Sequence, residues 1–190
     1  GFARNPDLVM SFYNARRENC AKAVPNAAHL ALARLERGFQ GGVLIVTQNV
    51  DDLHERAGSL NVWHMHGALN RAICATCAHQ WRAPLIMAAT DPCPACGGLT
   101  TRPDVVWFGE MPYHMEAIWQ ALRNCDLFVS IGTSGNVYPA AAFVQDAARA
   151  GADTLELNLE PSLGNRDFAA SRLGPSSRIV PEWVAEMLAF

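Results

Sequence analysis

Apolar positions recur along this chain with two different periods. After Asn5-Pro6, a pair suited to cap and start a helix, Leu8, Val9, Phe12 and Tyr13 fall at helical spacing. Pro25-Asn26 begins a second helical pattern carrying Leu30, Leu32 and Leu35, which Gly38 stops. Met115, Ile118, Trp119 and Leu122 mark a third helix face, and Pro139 starts a fourth helix that runs through Arg149 and closes at Gly151. Pro181 opens a C-terminal helix. Between these lie short apolar runs: Val43–Val46, Val105–Phe108, Leu127–Ile131 and Thr154–Leu159. Continuous runs of this length, rich in β-branched residues, predict buried parallel strands. Strands alternating with helices predict an α/β fold, a Rossmann-like doubly wound parallel sheet.

Residues 71–101 break the pattern. They hold four cysteines, several Pro and Gly, and little periodicity. The expected organisation is one domain over 1–70 and 102–190, with a small module inserted at 71–101. The cysteines read C-x2-C-x15-C-x2-C: Cys74, Cys77, Cys93 and Cys96. Two turns that each present a pair of sulfurs suit tetrahedral thiolate coordination, so one structural zinc is expected. Cys20 and Cys125 stand alone and are expected to be small buried apolar residues.

Composition adds exclusions. The chain has 190 residues, half of them apolar, with a net charge of −3 and a pI near 6.1. No basic stripe offers a footprint for nucleic acid or an anionic membrane. No run is long enough to span a bilayer, and no signal peptide is seen, so a cytoplasmic setting is expected.

The polar loop after the first strand carries candidate chemistry. Thr47-Gln48-Asn49-Val50-Asp51 sits at the carboxyl end of a core strand, where ligands bind in open α/β sheets. Its amides and carboxylate can read a polar ligand by hydrogen bonds. His64 or His66 can supply a general base, and spacing does not choose between them. Gly132-Thr133-Ser134 can hold a phosphate or ribose, or be a plain strand-to-helix turn. Tyr13 and Arg16, at i and i+3, share one helix face.

Gln48-Asn49-Val50-Asp51, His66-Gly67, the paired Cys-x-x-Cys motifs, Val105-Val106-Trp107-Phe108-Gly109-Glu110, Gly132-Thr133-Ser134 and Asn158-Leu159-Glu160 resemble the motifs of the sirtuins, in the family's order. The resemblance implies an NAD-dependent protein lysine deacylase that yields nicotinamide and 2′-O-acyl-ADP-ribose. It selects His66 as catalytic base, with Asn49 and Asp51 orienting the nicotinamide ribose. It gives NAD contacts to Gln48, Asn49, Val50, Asp51, Gly132, Thr133, Ser134, Asn158, Leu159, Glu160 and Ser176. It makes Val106, Phe108 and Gly109 substrate contacts. Phe12-Tyr13-Asn14-Ala15-Arg16-Arg17 resembles the acyl pocket of class III sirtuins, where Tyr13 and Arg16 would bind an acidic acyl group, succinyl or malonyl, with Arg16 as a buried cation. The implied partners are proteins bearing acylated lysines, met by a monomer that binds no specific nucleic acid and no membrane.

The family's glycine-rich Gly-Ala-Gly-x-Ser strand-turn-helix is not among these residues. The sheet is therefore expected to be incomplete at its N-terminus, and NAD binding to be weakened. The second reading is a catalytically inactive, zinc-stabilised peptide-binding module. A zinc-ribbon nucleic-acid binder is disfavoured by the acidic balance.

Overall fold

The structure is a computed structural model and describes residue 2 and residues 4–189. It divides into two compact units. Among the described residues, the first comprises residues 2, 4–24, 45–56 and 62–113; the second comprises 25–44, 57–61 and 114–189.

In the first unit, α1 spans Pro6–Lys22. Asn5 starts it by accepting the Leu8 amide at 3.0 Å, with Pro6 in the first turn, where its missing N–H costs nothing. β1 (Ile45–Thr47) runs parallel to β2 (Val62–His64), with the short helix α3 (Leu53–Ala57) between them. β1 begins two residues later than the apolar run predicts, and Ile45 and Val46 are half-buried. Among the described residues β2 is its sole partner, so its other edge lacks a neighbour that would bury it.

An antiparallel sheet of order β4-β3-β5 completes this unit, from β3 (Gly67–Cys74), β4 (Gln80–Arg82) and β5 (Thr101–Val105). Periodicity missed β4 because it is three residues long and lies between cysteine turns. The strand predicted over Val105–Phe108 ends instead at Val105. Beyond it, the Glu110 carboxylate accepts the Trp107 amide at 2.9 Å and turns the backbone away. Pro103 lies in β5, an edge strand, where a missing ladder donor is tolerated. Met10 from α1, Ala72 from β3 and Met87 form a buried cluster, against which Trp81 and Ala83 pack.

The second unit has a parallel sheet of order β6-β7-β8, from Leu127–Ile131, Asp153–Asn158 and Ala170–Leu173. α2 (Ala27–Gly38) starts with a capping box, in which Asn26 accepts the Ala28 and His29 amides and the His29 ring receives the Asn26 amide. α4 (Met115–Asn124) precedes β6, and α5 (Phe143–Arg149), entered through a 3₁₀ turn at Ala140–Ala142, links β6 to β7. α6 (Ser176–Met187) packs against α2. It starts five residues before Pro181, which lies inside it. The buried face of Ile179, Val180, Trp183 and Val184 selects the longer helix. Pro181 cannot bond the Ser177 carbonyl, but Ser177 is exposed and water can satisfy it.

No helix among the described residues is long and apolar enough to cross a membrane.

One backbone position is sterically closed. Gly67 has φ +79°, and a Cβ there would lie 2.1 Å from the Asp104 carbonyl oxygen. Gly67→Ala should lower the melting temperature by roughly 5–15 °C, since the clash adds to left-handed strain. Gly151→Ala, at φ +96° with open space around it, should cost only the strain, about 1–2 kcal/mol. Thermal melts of both variants check this; equal shifts would mean that the β3–β5 contact is loose.

Candidate active site and metal centre

The candidate loop leaves β1 and folds back on itself. The Asn49 amide donates to the Thr47 hydroxyl at 3.0 Å, and the Asp51 carboxylate caps α3 by accepting the Leu53 amide at 3.1 Å. The segment after β2 is sewn to this loop. The Met65 amide donates to the Thr47 carbonyl, and the Leu69 amide to the Val50 carbonyl. His66 Nδ1 lies 3.1 Å from the Gln48 carbonyl oxygen. A carbonyl can only accept, so Nδ1 carries a proton, and in the neutral ring Nε2 then keeps its lone pair. Among the described residues Nε2 has no hydrogen-bond partner. The structure thus brings Gln48, Asn49, Val50, Asp51 and half-buried His66 into one cluster.

His64 is in a different state. Its Nε2 meets the Glu55 carboxylate at 2.6 Å, and its Nδ1 faces the Asn49 carbonyl at 3.3 Å. Burial disfavours the charge on both partners, but their mutual hydrogen bond outweighs it. His64 is held above the ordinary histidine value and Glu55 below the ordinary carboxylate value. A ring whose charged form is favoured and whose Nε2 is already paired is a poor base, which separates the two histidines on physical grounds.

On α1, Tyr13 is half-buried and its hydroxyl accepts the Trp107 indole N–H at 2.8 Å. Arg16 is exposed rather than buried, with its guanidinium 5.6 Å from the Phe12 ring centroid. The buried guanidinium is that of its neighbour Arg17, 4% exposed. Arg17 donates to the Leu69 carbonyl at 2.8 Å, to Asn14 and to the Met87 sulfur. Helical phase explains the swap: at i and i+3, Asn14 and Arg17 face the core, and Arg16 lies beside that face. Past β5, the Val106 amide donates to the His66 carbonyl at 2.9 Å, while Phe108 is fully open to solvent and Gly109 is exposed.

The four predicted cysteines converge, their sulfurs all within 4.8 Å of one another. Cys74–Cys96 and Cys77–Cys93 are each 3.7 Å apart. A tetrahedron with zinc–sulfur bonds of about 2.3 Å has edges of about 3.8 Å, so the set fits zinc. Matching turns present them: the Ala78 amide returns to the Cys74 carbonyl, and the Gly97 amide to the Cys93 carbonyl. Cys74 is drawn down to about 6, first by its hydrogen bond with Thr100. The His79 amide favours the Cys77 thiolate, yet Cys77 is pushed up to about 12 by Cys96, by desolvation and by the other sulfurs. Four thiolates crowded together require a cation.

In the second unit Asn158 joins the remaining candidates. Its side-chain amide donates to the Thr133 carbonyl at 2.7 Å, and its own carbonyl accepts the Gly174 amide at 2.9 Å, two residues before Ser176 at the start of α6. Gly132 has φ +62°, and open space where a Cβ would stand. Leu159 and Glu160 are exposed. The loop that follows them is pinned by Glu156, 1% exposed, which accepts from the Ser162 amide, Asn165 and Ser171. Burial opposes that charge, but these bonds hold Glu156 below the usual carboxylate value. An open glycine turn with ordered loops beside it fits a ribose or phosphate.

A Sir2 family model matches residues 1–139. The chain belongs to the Sir2 family. It is 50% identical to the NAD-dependent protein deacylase of Salmonella typhimurium, over 99% of this chain and 70% of that protein. It is 53% identical to the NAD-dependent protein deacylase of Caulobacter vibrioides, over 100% of this chain and 81% of that one. The fold matches a solved complex of a Sir2 homologue with NAD at a TM-score of 0.90 and 35% identity, covering 98% of this chain and 73% of the other. It also matches Sir2Af2 bound to a myristoylated histone peptide, at 0.80 and 33%, covering 98% and 81%. The Rossmann-type α/β fold of the family is therefore the fold of this chain.

Sequence reasoning gave no role of their own to Arg17 and Trp107, although both lie in quoted motifs of this Sir2-family chain, and did not single out Glu156; only burial with hydrogen-bond partners marks these three.

Two outcomes are expected. Native mass spectrometry should find one zinc per chain, and Cys93→Ser should lose it and lower the melting temperature by roughly 5–10 °C. A variant that keeps zinc would remove Cys93 from the centre. The His64–Glu55 pair stabilises the fold only while both partners are charged. Its contribution falls as pH drops through the depressed Glu55 value, and falls again as pH rises through the raised His64 value. NMR titration should show the His64 ring still doubly protonated above pH 6.5 (the ordinary histidine value). Loss of that proton below it would break the distinction drawn between His64 and His66.

Proposed function

We propose that this chain is an NAD-dependent protein-lysine deacylase acting on succinyl, malonyl and acetyl groups. The products are free lysine, nicotinamide and 2′-O-acyl-ADP-ribose. The observation that carries this reading is the His66 ring, fixed through Nδ1 with Nε2 open beside the Gln48–Asp51 loop. The curated relatives named as deacylases match nearly the whole chain, which favours an enzyme over a peptide-binding module that consumes no NAD.

Bound NAD supplies an electrophilic ribose carbon with nicotinamide as its leaving group. Gln48, Asn49, Val50 and Asp51 hold the nicotinamide ribose, and His66 Nε2 accepts a proton from a ribose hydroxyl. Gly132, Thr133, Ser134, Asn158, Leu159, Glu160 and Ser176 hold the adenosine half. The exposed segment at Phe108 and Gly109, with Val106 before it, takes the extended peptide by strand addition. Tyr13 and Arg16 receive the carboxylate of an acidic acyl group. Arg16 is exposed and stacked near Phe12, so it can reach a ligand without first breaking a buried bond. Zinc holds the 71–101 module together, and with four protein sulfurs it has no open position for catalysis.

The partners are proteins carrying acylated lysines, with no nucleic acid or membrane involved. The proposed oligomeric state is a monomer. A cytoplasmic setting suits six cysteines that form no disulfide.

The test is mass spectrometry of the chain with NAD and paired acetyl- and succinyl-lysine peptides. O-succinyl-ADP-ribose should appear. His66→Ala should lower turnover about 10²–10⁴-fold with little change in melting. Arg16→Met should cost desuccinylation about 10- to 100-fold more than deacetylation, since a carboxylate loses a charged partner. Retained turnover in His66→Ala would sink the base assignment, and equal losses in Arg16→Met would make Arg16 structural.

A further inference from the structure

Trp107 lies in the turn after β5, between two residues assigned to the peptide, but its side chain faces elsewhere. Its indole Nε1–H donates to the Tyr13 hydroxyl at 2.8 Å. An indole N–H can only donate, whereas a phenol has one proton and acceptor lone pairs. The bond therefore occupies an acceptor position on Tyr13 and leaves the phenolic proton unspent. Among the described residues nothing accepts that proton.

Trp107 is itself held on several sides. The Glu110 carboxylate accepts its backbone amide at 2.9 Å, and the Glu110 amide returns to its carbonyl at 2.9 Å. The Arg102 guanidinium lies 4.4 Å from the indole centroid and pairs with Glu110 at 2.9 Å. The indole is thus a rigid donor, and it fixes the orientation of a hydroxyl on the neighbouring helix.

We propose that Trp107 is a positioning residue for acyl specificity: its indole N–H orients the Tyr13 hydroxyl so that the phenolic proton is donated to the carboxylate of an acidic acyl-lysine. This rests on the acidic-acyl reading above. An acetyl group ends in a methyl and has nothing to accept that proton, so the contribution is selective.

Trp107→Phe removes the N–H and keeps a ring for Arg102 to stack on. With the full chain and NAD, it should raise KM for the succinyl peptide about three- to tenfold, the scale of one hydrogen bond. KM for the acetyl peptide should stay within about twofold, and kcat for both should hold. In a Tyr13→Phe background the same change should add nothing, because the hydroxyl it positions is gone. Equal losses for both peptides, or additive losses in the double variant, would overturn the role of Trp107 and leave the acidic-acyl reading standing. No desuccinylation by the unaltered chain would overturn both.

A second measurement does not need activity. The chain has five tryptophans, and Trp107→Phe identifies the Trp107 indole N–H resonance by its disappearance. Tyr13→Phe should shift that resonance and speed its exchange with solvent. If none of the five indole N–H resonances moved in Tyr13→Phe, the proposal would be overturned even if Trp107→Phe failed to fold.

Discussion

The peptide unit joining His66 to Gly67 is the point on which the first unit depends. The His66 carbonyl accepts the Val106 amide, its ring donates to the Gln48 carbonyl, and Gly67 lies against the Asp104 backbone where no Cβ fits. Three segments far apart in sequence meet within two residues. A side chain at Gly67 would push β5 away, and β5 carries both the candidate peptide edge and the turn that holds Trp107. The glycine after the histidine is a steric requirement of β3–β5 pairing, and the position of His66 follows from it.

Buried charge supports this junction from both sides. Arg17 is driven toward the neutral form by burial but keeps its guanidinium bonds to Leu69, Asn14 and Met87. It ties α1 to the start of β3 and to the loop that precedes the second cysteine pair. Asp104, 2% exposed, accepts from Tyr113 at 2.6 Å and from Gln80 at 2.9 Å, anchoring β5 to the same sheet. Removing one partner of such a group leaves the other desolvated and unpaired, which costs more than the bond itself contributes. The zinc-binding cysteines act on the same sheet from its far end, since Cys74 closes β3. In the second unit Glu156 plays the comparable part, ordering the loop that follows Asn158.

Proton positions in the first unit are set by partners whose hydrogen-bonding role cannot change. A carbonyl sets the tautomer of His66, a carboxylate keeps His64 charged, and an indole N–H sets the direction of the Tyr13 hydroxyl. None of these partners need touch a ligand. Each removes an alternative state from the group it meets, so the cost of choosing that state is met in folding.

The sequence alone determined the helix starts at Asn5-Pro6 and Pro25-Asn26, because caps act within a few residues. It also determined the cysteine set, because ligand spacing is local to two turns. The loop at Gln48–Asp51 and the Sir2 likeness were legible for the same reason: each is a contiguous motif. Only tertiary structure decided the rest. α6 runs through Pro181 because its apolar face packs on α2, which outweighs a local helix-breaking signal. The strand at Val105 stops because Glu110 captures the Trp107 amide. Arg17 rather than Arg16 is the buried cation because helical phase sets which neighbour meets Leu69, and two adjacent arginines read alike in sequence. His66 was separated from His64 physically only once Glu55 was seen to hold the latter. Contacts between residues distant in the chain leave no local pattern, and those contacts fix which of two similar side chains is buried, charged or free.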